Sequence, residues 1–88
     1  MAKRSVPPEA TDLADGKQKL LLRLRRAEGQ VRAVIRLIEE DATCESVAQQ
    51  LAASRKALDR SFYALLGCAL EHGEIEQHEV EALLTRYV

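Results

Sequence analysis

Residues 44–72 carry one unbroken stripe. Cys44, Val47, Leu51, Ser54, Leu58, Ser61, Leu65, Cys68 and His72 follow one another in alternating steps of three and four. Such a repeat is the seam of a long helix that packs against other helices, and only Gly67 interrupts the run. At about 1.5 Å of rise per residue, Cys44 and Cys68 stand roughly 36 Å apart on that helix. One copy can therefore never bring its own two thiols together. Two copies packed antiparallel can, with Cys44 of one beside Cys68 and His72 of the other. A site made of these three residues is a site between subunits, and the expected state is a twofold oligomer.

Size argues the same way. The chain has 88 residues, and Phe62, Tyr63 and Tyr87 are its only aromatics. A short chain with a core of Leu, Val, Ile and Ala buries little surface alone. Charge is segregated along it. Residues 17–36 hold Lys17, Lys19, Arg23, Arg25, Arg26, Arg32 and Arg36 against one acid, Glu28, whereas residues 71–81 hold five glutamates and no Lys or Arg. This separation suggests one surface that meets a polyanion and another that does not, although a solvated helix face is the plainer reading. The sequence shows no signal peptide and no apolar run that could cross a membrane. The expected location is the cytoplasm, where two cysteines serve as free thiols, metal ligands or redox sensors rather than as a structural disulfide.

Organisation follows from periodicity. Residues 1–15 lack it and are expected to form a flexible arm. Residues 16–88 form a single helical domain. From Lys17 to about Glu40 a heptad seam runs through Leu20, Leu24, Ala27, Val31, Val34 and Ile38. Asp41 and Thr43 are good N-caps, which places a tight turn near 40–43. A second helix runs from Cys44 to His72, and Gly73 is a natural stop. A short third helix covers about Glu76 to Tyr87, with Val80, Leu83, Leu84 and Tyr87 on one face. The fold class is all-α, and two such hairpins packed face to face make an antiparallel four-helix bundle. Its centre falls near Lys56 if Cys44 meets Cys68, and near Leu58 if Cys44 meets His72.

The run Arg23-Leu24-Arg25-Arg26-Ala27-Glu28-Gly29-Gln30-Val31, the Cys44 that follows, and Gln49-Gln50-Leu51-Ala52-Ala53-Ser54-Arg55 resemble the copper-sensitive operon repressor family over roughly residues 17–84. That family includes sensors of copper, nickel or cobalt, formaldehyde and persulfide. The resemblance implies dimers that pair into flat tetramers and repress transcription on operator double-stranded DNA without a helix-turn-helix. It assigns DNA contacts to basic residues of the first two helices: here Arg23, Arg26, Arg55 and Lys56, with Lys19, Arg25 and Arg60 as neighbours. Phosphate contacts supply affinity and salt dependence, while base contacts or DNA shape must supply sequence choice.

The effector site departs from the family pattern. The first cysteine is matched by Cys44, but the positions of the copper sensors' histidine and second cysteine hold Ala69 and Gly73. The persulfide sensor's second cysteine falls on the same Gly73. Ala2 stands where the formaldehyde sensor needs proline. In their place the chain offers Cys68 and His72, each one residue earlier and in the order Cys then His. On a metal reading, Cys44 with the other copy's Cys68 and His72 holds one Cu(I), zinc or nickel ion per protomer, since soft thiolates suit Cu(I) and zinc. His78 is a possible fourth ligand. On a thiol reading, Cys44 and Cys68 are crosslinked between subunits, directly or through extra sulfur, and no metal is involved. An enzyme is not expected, because the sequence offers no nucleophile–base pair, phosphate loop or paired carboxylates. A passive helical oligomerisation module with inert cysteines is the alternative outside repression. It leaves the placement of both cysteines on the seam unexplained.

Overall fold

The computed structural model describes the backbone of residues 8–88 and the side chains of residues 15–88. Three helices follow in order: α1 (Pro8–Glu39), α2 (Cys44–Glu71) and α3 (Gln77–Tyr87). Among the described residues there is no strand, so the protomer is all-α, as its periodicity requires.

Helix α1 starts nine residues before Lys17, where the heptad seam begins. Pro8 is its first residue. A proline suits that position because its fixed φ is already helical and its missing N–H would have had no partner there. Of the arm expected over 1–15, residues 8–15 are therefore helical. Residues 1–7 lie outside the described residues.

Asp41 ends the first helix rather than starting the second. It adopts φ 57°, the left-handed region that Asp and Asn tolerate better than other side chains do. Ala42 N donates to Leu37 O at 2.9 Å and Asp41 N to Ile38 O at 3.1 Å, which satisfies the last carbonyls in the Schellman pattern. Thr43 is the N-cap of α2. Its Oγ1 accepts from Ser46 N at 3.1 Å and donates to Ser46 Oγ at 3.0 Å. The far end of α2 repeats the device with Gly73 at φ 73°, where Glu74 N donates to Ala69 O and Gly73 N to Leu70 O. Helix α3 opens on a capping box between Glu76 and Glu79.

Helices α1 and α2 lie against each other as an antiparallel hairpin, and among the described residues α3 touches α2 but not α1. The heptad seams divide in two. Every seventh residue faces the neighbouring helix: Leu20, Ala27 and Val34 on α1, and Val47, Ser54, Ser61 and Cys68 on α2. Ala27 is 1% exposed and Ser54 2%. The intervening residues, Leu24, Val31 and Ile38 on α1 and Leu51, Leu58 and Leu65 on α2, are all exposed. This corrects the single seam drawn from the sequence, in which both cysteines and His72 share one stripe. Cys68 belongs to the row that meets α1. Cys44 continues the outward row of Leu51, Leu58 and Leu65, whereas His72, at the next step of seven, brings its ring back to α1 beside Gly16.

Small side chains explain the division. Ser54 Oγ donates to Gln50 O and Ser61 Oγ to Ala57 O, each at 3.0 Å, so both buried hydroxyls are satisfied inside their own helix. Ala27, Ser54 and Ser61 allow close packing of α1 on α2 beside the buried Val34 and Leu66, and Leu24, Leu51, Leu58 and Leu65 are left outside. The result is one layer, 53 × 43 × 12 Å, no thicker than a single helix. Its radius of gyration is 17.5 Å, against about 12 Å for a compact domain of this length. It exposes 7240 Å², against roughly 5200 Å² for a compact monomer of its mass.

Removing the cap tests the turn. Thr43→Ala should lower unfolding free energy by about 1 kcal/mol in urea titrations at fixed protein concentration, with an unchanged denaturant slope.

Candidate effector site and basic face

Cys44 is the first residue of α2 and is exposed, with a free thiol. The Thr43 cap and the Asp41 turn set its position. Cys68 is half-buried and also free. It sits one turn before the end of α2 and faces α1. A Cβ built on Gly16 would lie 2.7 Å from Cys68 Sγ and 3.9 Å from His72 Nε2, so both donor atoms converge on one point of the α1 backbone. His72 caps α2, and its backbone N–H donates to Cys68 O at 3.1 Å. Cys68 and His72 are thus brought together, and Cys44 is held a helix length away. Among the described residues, no group of three Cys, His, Asp or Glu within one protomer could hold a metal ion. His78 lies on α3, exposed, with Nδ1 3.3 Å from Glu76 Oε2. It stands apart from the Cys68–His72 pair.

Cys68 and His72 open into a groove of about 760 Å³ between α1 and the end of α2, whose walls include Asp15, Gly16, Lys19, Arg23, Arg26 and Glu71. Lys19, Arg23 and Arg26 follow steps of four and three, which places them on one face of α1. The outward Leu24, Val31 and Ile38 occupy a different face. Arg25 on α1 and Arg55, Lys56 and Arg60 on α2 are exposed and do not line the groove. Lys19 pairs with Asp15 at 3.6 Å, and Arg32 with Glu28 at 3.8 Å. Among the described residues, Arg23, Arg25, Arg26, Arg55, Lys56 and Arg60 have no acidic partner within 4.0 Å, so their charge is available to a polyanion.

Two features escaped the sequence reading. Gly16 looked like a domain boundary, and the signal that could have found it is a glycine lying inside helix-forming sequence at the level of Cys68. The second is a pair of glutamines. Gln50 Nε2 donates to Gln30 O at 3.5 Å across the hairpin, while Gln30 Oε1 is buried without a partner among the described residues. The Gln30–Gln50 and Gly16–Cys68 contacts together set the antiparallel register.

The separation of the thiols has a direct chemical test. A disulfide needs Cα atoms about 4.4–6.8 Å apart, so every Cys44–Cys68 bridge must join two chains. Oxidation with diamide followed by non-reducing electrophoresis and peptide mapping should give crosslinked dimers that Cys44→Ala abolishes. It should give no monomer with an internal bridge.

Comparisons with known proteins show the family. The profile of a family described as a metal-sensitive transcriptional repressor matches residues 16–86. The copper-sensing transcriptional repressor CsoR of Mycobacterium ulcerans (strain Agy99) is 38% identical over 60 residues, covering 68% of this chain and 51% of that protein. The copper-sensing transcriptional repressor RicR of Mycobacterium tuberculosis (strain ATCC 25618 / H37Rv) is 48% identical over 50 residues, covering 57% of this chain and 52% of that protein. The chain spans about half the length of these curated relatives. No solved structure matches it. With the family profile matching residues 16–86, this chain belongs to the metal-sensitive transcriptional repressor family.

Proposed function

We propose that the chain is a DNA-binding transcriptional repressor that works as an antiparallel dimer, pairing further into a tetramer, and leaves its operator when an effector joins Cys44 of one copy to Cys68 and His72 of another. The observation that carries this reading is the outward row of α2. Cys44, Leu51, Leu58, Leu65 and His72 are spaced by sevens, so the row is symmetric about Leu58. Antiparallel self-pairing centred there sets Leu58 against its own copy, Leu51 against Leu65 of the other copy, and Cys44 against His72. Leu51, Leu58 and Leu65 are 55, 48 and 48% exposed in the lone protomer. Covering each such side chain stabilises the pair by on the order of 1 kcal/mol, and the α1 row adds to this.

The donor set fits a soft metal. Cys68 Sγ and His72 Nε2 already converge, and a thiolate from a second copy completes two sulfurs and one nitrogen, which suits Cu(I) better than a hard cation. The two curated relatives are copper-sensing by name, so Cu(I) is placed ahead of zinc and nickel. When bound, the metal supplies bonds between subunits. The chain's own residues orient the donors: the Thr43 cap places Cys44, and the last turn of α2 holds Cys68 and His72 together. A thiol or persulfide sensor is the second reading. It is favoured by Ala69 and Gly73 at the positions where copper sensors of this family carry their histidine and second cysteine. Arg23, Arg26, Arg55 and Lys56, with Lys19, Arg25 and Arg60, are assigned to DNA. Each cation that neutralises a phosphate adds to affinity and to its salt dependence.

Three measurements test the proposal. Leu58→Glu sets two like charges at the twofold centre, and sedimentation should show monomers where the parent protein is oligomeric. Replacing Arg23 by Ala should weaken binding to a promoter fragment at every sequence tested and reduce the salt slope by about one. Anaerobic native mass spectrometry with Cu(I), Zn(II) or Ni(II) beside a competing chelator should show one retained Cu(I) per protomer, lost in Cys44→Ala and in Cys68→Ala. No retained metal, with release from DNA by a persulfide donor instead, would select the thiol reading.

A further inference from the structure

Three glycines lie inside helices, and only at one would a Cβ meet a neighbour. A Cβ at Gly29 or Gly67 meets nothing within 4 Å, so alanine would fit within the protomer at either position. At Gly16 the same atom would come within 2.7 Å of Cys68 Sγ, closer than real Cβ contacts allow. The sulfur fills the space that the missing side chain leaves. It is therefore already in contact with α1 before anything binds to it. Metal–sulfur bonds are about 2.3 Å long and sulfur–sulfur bonds about 2.05 Å. An atom bonded to Cys68 Sγ on the side where Sγ and His72 Nε2 converge would enter the space that the missing Gly16 side chain leaves and crowd the α1 backbone there.

That backbone is continuous with the basic wall. Lys19, Arg23 and Arg26 stand three, seven and ten residues beyond Gly16, on the same face of α1 and in the same groove. Among the described residues, α3 makes no contact with α1. Force applied at Gly16 thus falls on a part of α1 whose described contacts outside its own helix are with α2, the kind of element that opens more easily than one packed on several sides.

We propose that Gly16 is a positioning residue that couples Cys68 to the basic face: an atom added to Cys68 Sγ on the Gly16 side lifts this part of α1 from α2 and moves Lys19, Arg23 and Arg26 with it. Its consequence for DNA rests on the repressor reading. Its structural part does not.

Gly16→Ala should imitate the loaded state with no effector present. Two readouts do not involve DNA. In a Cys44→Ala background, iodoacetamide should alkylate Cys68 at least tenfold faster with Gly16→Ala than without it. In that reaction the Cys68 thiolate forms the new carbon–sulfur bond, iodide leaves and the thiol proton goes to buffer. Amides of residues 17–26 should also exchange hydrogen faster in Gly16→Ala. The second variant separates coupling from simple damage. Cys68→Ala removes the sulfur and leaves the added Cβ 3.9 Å from the Cβ of residue 68, an ordinary contact. Exchange in Gly16→Ala/Cys68→Ala should then return to the level of Cys68→Ala alone. Affinity for a promoter fragment should fall tenfold in Gly16→Ala and recover in the double variant to within twofold of Cys68→Ala. Unchanged alkylation and exchange in Gly16→Ala, or exchange that stays high in the double variant, overturns the coupling. A parent protein that binds no promoter DNA overturns the repressor reading instead, while alkylation and exchange still decide the role of Gly16.

Discussion

The close approach of α1 to α2 depends on side chains too small to keep the helices apart. Ala27 meets a row containing Ser54 and Ser61, and Gly16 meets Cys68. A leucine in that row would force off-rotamer packing at a cost of about 1–3 kcal/mol. With the small residues turned inward, most of the large ones are left on the outer surface, although Val34 and Leu66 are buried. The hairpin becomes a single layer with an apolar row on each long helix and cations on other faces. Its thinness, its exposed leucines and its excess surface share that origin.

The same packing gives the two cysteines different surroundings. They occupy neighbouring rows of one helix, yet one is exposed at the first turn of α2 and the other is pressed against a glycine at its last. The distance between them removes any intrachain chemistry. Cys68 instead has His72 beside it and Lys19, Arg23 and Arg26 along the same groove. A thiol that shares a groove with these cations is well placed to affect them, because the two groups lie on opposing walls of one contact rather than at the ends of a long chain of intermediates.

Several elements were legible in the sequence for physical reasons that do not need a third dimension. The second helix and its stop at Gly73 follow from periodicity and from the positive φ that glycine accepts. Thr43 as a cap follows from its hydroxyl. Asp41 was misjudged because a short acidic side chain suits both an N-cap and a left-handed helix end, and its hydrogen bonds to the end of α1 decide between them. The start of α1 leaves no trace in the sequence because residues 8–15 carry no apolar stripe from which a helical period could be read.

By itself the sequence determined that this chain is a set of heptad helices, that its two thiols cannot meet within one copy, and which cations are candidates for a polyanion. Local forces suffice for these, since capping, rise per residue and periodicity act within a few turns. Only the tertiary structure decided which half of each heptad seam turns inward. It placed Cys68 in the inner row and Cys44 in the outer one, and it gave Gly16 a neighbour. A heptad pattern marks positions a and d as apolar without saying which faces the helix of the same chain. Here the volumes of Ala27, Ser54 and Ser61 settle it, because only small residues let two helices approach closely enough for a sulfur to fill the place of a missing Cβ.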